Sequence, residues 1–276
     1  MKGSSRTIPP LDASEALSSL ERFQVRFIRS TFDFDALSSA VAFSQRQLGS
    51  RWIMAVTANL RTVYGLVRLP VFDPNESYIC VANHRSFFDM YTVTSYLVRE
   101  GLLPHRLVFP VRSKFFYDTV PGFFVNGAMS FFAMYPPIFR ERKRLHLNLS
   151  SLQEVERLLK KRGVFVGIHP EGTRGQGEDP YTLLPAQAGV GKVIHGARVK
   201  VIPVFINGLI NDFTGQIRSN FDRSGAPVNI VFGKPIDFGD LLDKPSSSKV
   251  HKEIAELALG EVARLGEEEK VIRSGL

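Results

Sequence analysis

From Asp12 to about Arg68 the apolar positions return at helical spacing, as at Leu17, Leu20, Phe23 and Phe27, and Asp12 with Glu15 has the form of a capping box. Gly49 interrupts this stretch, which therefore predicts at least two or three helices. From Ser77 the pattern changes. Short apolar runs at 78–82, 164–168, 199–206 and 228–232 predict strands, and the amphipathic segments 87–99 and 147–162 between them predict helices. Strands alternating with helices predict an α/β fold, a mostly central β-sheet flanked by helices, with a helical N-terminal extension. The pattern divides the chain into a helical region, residues 1–70, and an α/β domain, residues 71–276, that closes on a helix over about 248–264. The charged run 267–270 after it predicts a solvated tail.

At 276 residues, 44% hydrophobic and 22% charged, the chain can bury a sizeable core, and disordered and collagen-like classes are excluded. A single cysteine, Cys80, allows no internal disulfide and implies no oxidising compartment. The first residues carry no leader pattern, and no window reaches the roughly 18 consecutive apolar residues of a spanning helix. The expectation is a cytoplasmic protein. A net charge of +8 favours an anionic partner. Most of it is local: residues 106–162 hold eleven basic side chains against four acidic ones. Within them, residues 119–139 are uncharged and carry Phe123, Phe124, Met129, Phe131, Phe132, Met134 and Tyr135. This is the composition of a surface that meets anionic lipid, or of a buried Phe-rich helix beside a solvated basic loop.

Two constellations could do chemistry, and each follows an apolar strand. The first is Asn83, His84, Arg85, Ser86, Phe87, Phe88 and Asp89. On one continuous helix His84 and Asp89 would point about 140° apart. They meet if His84 lies in a loop and a helix starts near Ser86, which puts the Asp89 carboxylate in the first turn. A carboxylate on one imidazole nitrogen leaves the other poised to take a proton. The competing assignment makes Ser86 an N-cap and Asp89 its capping-box partner, with no task for His84. Cys80 reads as a core thiol, and Ser86 lacks the glycine-flanked elbow of a serine nucleophile.

The second constellation is His169, Pro170, Glu171, Gly172, Thr173, Arg174 and Gly175. Its glycines allow a tight turn, and Arg174 offers a planar fork suited to phosphate. No Gly-Lys-Ser/Thr follows, so this is not a nucleotide-triphosphate loop. The alternative is a plain surface turn in which Glu171 pairs with Arg174. Both constellations end strands, and that edge of an open α/β sheet is where ligands bind. A proton-transfer pair beside an arginine suits acyl transfer to a hydroxyl of a phosphorylated acceptor.

In these blocks the chain resembles the glycerolipid acyltransferase superfamily, which includes lysophosphatidate and glycerol-3-phosphate acyltransferases. Its His-x4-Asp block looks like residues 83–89, its Pro-Glu-Gly-Thr-Arg block looks like Pro170 to Arg174, and its hydrophobic-Pro-Val block looks like 201–206. Order and spacing agree from about Ser77 to Gly233. The resemblance implies that His84 is the general base and Asp89 orients it. It also implies that Arg140, Glu171, Gly172, Thr173 and Arg174 form the acceptor site, with backbone N–H groups near Gly172 receiving the oxyanion. Arg140 stands for the arginine of the family's acceptor-binding block, and Arg142 could exchange with it. His169 stands where an aromatic residue usually precedes Pro-Glu-Gly-Thr-Arg. The implied acyl donor is acyl-CoA or acyl carrier protein, and the implied acceptor is a lysophospholipid, foremost 1-acyl-glycerol-3-phosphate. No metal or redox cofactor is implied. The expected place is peripheral, on the inner face of the membrane. A thioesterase or lipid hydrolase would use the same base on water, and a non-phosphorylated lipid acceptor is a further alternative. A nucleic-acid-binding protein would fit the charge but leaves both motifs unexplained.

Overall fold

A computed structural model describes residues 9–275. Residues 1–8, on which the expectation about a leader rests, lie outside the described residues. Three helices come first: α1 (Ser19–Asp33), α2 (Asp35–Ser44) and α3 (Ser50–Ala55). The chain continues through β1 (Arg61–Tyr64), β2 (Tyr78–Ala82), α4 (Asp89–Arg99), β3 (Arg106–Val108), β4 (Val111–Arg112), one irregular turn α5 (Ser113–Phe116), α6 (Val120–Ser130) and β5 (Pro137–Ile138). It ends with α7 (Leu147–Lys161), β6 (Val164–Ile168), α8 (Ala188–Ala197), β7 (Lys200–Asn207), α9 (Phe213–Asp222), β8 (Val228–Phe232) and α10 (Ser248–Ser274).

The central sheet has six strands in the order β1-β8-β7-β2-β6-β3, parallel throughout except for the antiparallel pair β7–β8. Its strands read as unbroken apolar runs because both faces are covered. Ile79, Val81, Val166 and Phe205 face α7, α8 and α10, while Cys80, Phe165 and Ile202 lie in the cluster that contains Ile53 of α3 and Val93 and Leu97 of α4. The expected α/β architecture is therefore present. The neighbours β7, β2 and β6 run parallel, so the loops that follow them emerge at one edge.

Several local expectations need correction. Helix α1 starts later than Asp12: Ser18 is its N-cap, and Ser18 with Glu21 forms the capping box through bonds of 3.2 and 2.9 Å. The buried face of α1 carries Val25, Ile28 and Phe32, whereas Phe23 and Phe27 point outward. The chain between α2 and α3 passes through a π-turn over Gln45–Gly49, and the sharper break is at Phe34. The stretch read as helical to Arg68 includes β1, a strand of the sheet. Helix α10 runs through the supposed solvated tail. Glu269 there is fully buried and accepts from Tyr181 Oη (2.7 Å), Asn229 Nδ2 (2.8 Å) and Arg273 Nε (2.7 Å). Glu268 is ion-paired with Arg68 at 2.8 Å.

The Phe-rich stretch is divided between the two expectations. Met134 and Tyr135 are core residues, while Phe124 is 66% exposed. Phe123 and Phe132 pack against Phe27, and Phe23 joins them at its edge, so α1 and α6 share one aromatic face on the surface.

Candidate active site

The β2–α4 loop is held before any side chain acts. Asn83 is buried and exchanges two hydrogen bonds with Ile206 of β7, each 2.8 Å. The His84 N–H donates to Glu171 Oε1 (2.8 Å), and the His84 carbonyl accepts from the Gly175 N–H (2.8 Å). The loop after β6 thus grips His84 from both sides. Helix α4 begins at Asp89, as the loop-then-helix reading requires. Asp89 Oδ2 lies 3.2 Å from His84 Nδ1 and accepts from the N–H groups of Arg85 and Ser86 at 2.7 Å each.

An ionised carboxylate only accepts, so Nδ1 carries the proton and the Nε2 lone pair is left free. The capping reading is half right. Asp89 does take the Ser86 N–H, but Ser86 Oγ accepts from the Phe88 N–H (3.2 Å) and donates to the Ile210 carbonyl (3.1 Å). One carboxylate therefore orders the loop and fixes the imidazole. Burial pushes the Asp89 carboxyl up to about 6. Burial, together with the charges of Arg174 and Arg140, pushes His84 down to about 3, so its imidazole is neutral at ordinary pH.

The Pro170-Glu171-Gly172-Thr173-Arg174 segment forms a turn closed by the Gly172 N–H on the His169 carbonyl (2.9 Å). Gly172 has φ +67°, and a Cβ there would come within 2.9 Å of Gln187 Cγ. Glu171 is buried: one oxygen takes the His84 N–H and the other the Leu184 N–H (2.7 Å). The expected surface pair of Glu171 with Arg174 does not form, and Arg174 Nη1 donates instead to Asn211 Oδ1 (2.6 Å). Arg140 reaches the same turn from far away in sequence, donating to the Gly172 carbonyl (2.7 Å) and to Thr173 Oγ1 (3.2 Å). Arg142 lies in the exposed turn Arg142–Arg144 and makes no hydrogen bond to this loop among the described residues. His84, Asp89, Arg140, Glu171, Gly172, Thr173 and Arg174 are thus assembled at one sheet edge.

Asn211 and the packing role of His169 are additions that the sequence alone does not supply. Asn211, after β7, accepts from Arg174 and from the Phe87 N–H (3.2 Å) and donates to the Arg85 carbonyl (3.1 Å). The His169 ring lies flat on His84, with centroids 3.9 Å apart and planes within 8°, and its Nδ1 donates to the Ala82 carbonyl (3.0 Å). The signal was a histidine in a position that usually holds an aromatic ring. Donor atoms of His84, Asp89 and His169 lie within 4.8 Å of one another. The parallel rings set their in-plane lone pairs side by side rather than converging on one point, so this group reads as a proton-transfer dyad with a stacked neighbour.

An imidazole held by aspartate, beside two guanidinium groups at the carboxyl edge of an α/β sheet, is equipped to take a proton from a substrate that carries an anionic group. The Acyltransferase family profile matches residues 60–207, and the chain belongs to that family. It is 26% identical over 200 residues to 1-acyl-sn-glycerol-3-phosphate acyltransferase alpha of Mus musculus, covering 68% of this chain and 64% of the relative. The Homo sapiens protein of the same name is 26% identical over 180 residues, covering 63% and 56%. The chain therefore spans less than two thirds of the curated relatives it matches. In fold it is similar to the 1-acyl-sn-glycerophosphate (LPA) acyltransferase PlsC of Thermotoga maritima. The TM-score is 0.53, with 21% identity over 90% of this chain and 89% of that one.

Proposed function

We propose that the protein transfers a fatty acyl group from a thioester, acyl-CoA or acyl carrier protein, to the free hydroxyl of 1-acyl-glycerol-3-phosphate. The observation that carries this reading is the convergence of the His84–Asp89 dyad with Arg140 and Arg174 on one turn. His84 Nε2 takes the hydroxyl proton while the oxygen attacks the thioester carbonyl. The tetrahedral oxyanion collapses, the C–S bond breaks, and the thiolate takes the proton back from His84. Arg140 and Arg174 hold the acceptor phosphate, and Glu171 and Thr173 shape the loop between them. The Gly172 N–H is committed to His169, so the N–H groups of Thr173 and Arg174 are the candidate oxyanion donors.

The test compares turnover of an acyl thioester with 1-acyl-glycerol-3-phosphate, with a monoacylglycerol, and with water alone. Transfer to the phosphorylated acceptor well above the other two supports the reading. Thiol release that is indifferent to acceptor makes the protein a thioesterase, and equal use of monoacylglycerol removes the phosphate from the assignment.

The pH profile follows from the dyad. Below about pH 6 Asp89 becomes protonated and loses its hold on the Nδ1 proton, so kcat/KM should fall as the pH drops through 6 and be flat above. In Asp89→Asn the limb should vanish from kcat at saturating acceptor, where the acceptor phosphate's own second ionisation at about pH 6 does not enter as it does in kcat/KM; a limb that persists there contradicts the assignment.

The proposed place of action is the inner membrane face, with the chain bound peripherally. No helix among the described residues is long and apolar enough to cross a membrane. The shared aromatic face supports docking, with Phe23 58% and Phe124 66% exposed. Because both side chains stand in solvent, Phe23→Ser with Phe124→Ser should leave the fold intact and weaken liposome binding on the order of tenfold. Flotation with anionic liposomes checks this, and rising salt should weaken binding further. Unchanged flotation of the double variant would remove this face from the membrane contact.

A further inference from the structure

A cavity of about 350 Å³ lies on the opposite edge of the sheet, between α2, the end of α7, and the starts of β3 and β6. Arg46, Arg106, Lys161 and Arg162 line it, against one carboxylate, Asp35. None of the four cations has an ion-pair partner among the described residues. Arg46 donates to the Pro104 carbonyl (3.1 Å) and Lys161 to the Phe32 carbonyl, contacts that leave their charge unbalanced. Lys161 and Arg162 close α7, where its carbonyl end favours cations. Arg106 has no such reason: it opens β3, is 3% exposed, and donates to Thr31 Oγ1 (2.6 Å), Ser38 Oγ (3.2 Å) and the Thr31 carbonyl. Its guanidinium lies 3.3 Å above the Phe32 ring, and its buried Nε has no acceptor. A buried charge facing a ring but no counter-ion is costly, and an anion in the cavity would offset that cost.

We propose that this cavity binds a phosphate group, at a site separate from the one around His84 and Arg174. Two sources carry that chemistry, soluble phosphate and the headgroup of an anionic lipid. Arg46 and Arg162 would meet it from the rim and Arg106 from the floor. Binding there would clamp α2 to the α/β body.

The test titrates the full chain with inorganic phosphate at constant ionic strength and follows the melting temperature, in wild type, Arg46→Gln/Arg162→Gln, and Arg140→Ala/Arg174→Ala. The first pair lies on the rim, so folding does not depend on the buried Arg106. Wild type and Arg140→Ala/Arg174→Ala should show a phosphate-dependent rise in melting temperature. In Arg46→Gln/Arg162→Gln the apparent dissociation constant should weaken tenfold or more. In a second arm the same proteins are floated with phosphatidylcholine vesicles with and without phosphatidic acid. Loss of the phosphatidate-dependent part in Arg46→Gln/Arg162→Gln assigns the site to a lipid headgroup, and loss of the soluble response alone assigns it to free phosphate. A phosphate response and flotation both unchanged in Arg46→Gln/Arg162→Gln overturn the proposal. So does a response abolished only by Arg140→Ala/Arg174→Ala, which leaves the acceptor site as the one phosphate site.

Discussion

His84→Ala is expected to lower acyl transfer by about 10²–10⁴-fold, the range in which a general base contributes, while the protein stays folded. Circular dichroism and thermal melting alongside kcat would establish both halves. Asp89 divides the dyad from the cap more sharply, because its Oδ2 serves the Arg85 and Ser86 N–H groups and His84 Nδ1 together. In Asp89→Asn the amide oxygen can still take the backbone donors, but it no longer balances the imidazolium that forms during transfer. Ser86→Ala removes the hydroxyl that links the Ile210 carbonyl and the Phe88 N–H. Ser86→Ala should lose about 1 kcal/mol of stability, whereas Asp89→Asn, which keeps the backbone bonds and removes a carboxylate that burial pushes up to about 6, should lose little. Only Asp89→Asn should lose most of its rate. Equal and small rate effects from the two would reduce Asp89 to a cap.

The legible parts of this fold are those whose signal is local. Strands β2, β6, β7 and β8 are covered on both faces, which forces contiguous apolar runs, and their bounds lie within a residue of the pattern. β1 and β3 are a four-residue and a three-residue strand at the two sheet edges, too short to outweigh the periodicity beside them. Helix α8 is concealed by Gly189, Gly191 and Gly196, residues that weaken helical propensity. Gly191 has a packing reason, since a Cβ there would lie 1.8 Å from the His251 carbonyl of α10. The charge of Glu269 and its i,i+4 partner Arg273 are visible in the chain, but Tyr181 and Asn229, which complete its burial, come from two distant segments.

The candidate site divides in the same way. His84, Asp89 and the Pro170–Arg174 turn were readable because each follows a strand within a few residues. The His169 stack, the Asn83 clamp and the Asn211 bridge arise only when β2, β6 and β7 bring their loops to one edge. That Arg140 reaches the turn, through the Gly172 carbonyl and Thr173, is likewise a tertiary fact.

That placement sharpens the second large effect, on the acceptor phosphate. Arg140 and Arg174 flank one turn, and their charges both act on His84, so a phosphate held between them would bring its attached glycerol near the dyad. A guanidinium grips phosphate through two parallel hydrogen bonds, and Arg174 has donors left after its bond to Asn211. An ammonium keeps the charge and loses the fork. Arg174→Lys should therefore lower acceptor kcat/KM on the order of tenfold or more, about 1.4 kcal/mol of transition-state binding, while donor saturation hardly changes. Arg140→Ala should show the same asymmetry with a larger loss, because it removes both a phosphate donor and the tie to the Gly172 carbonyl. Arg142→Ala is the control and should leave acceptor kinetics near wild type. Steady-state kinetics with each substrate varied in turn, on 1-acyl-glycerol-3-phosphate and on a monoacylglycerol, separate the outcomes. If Arg174→Lys slows both acceptors equally, the two arginines support the turn or serve the thioester, and the phosphate clamp is wrong.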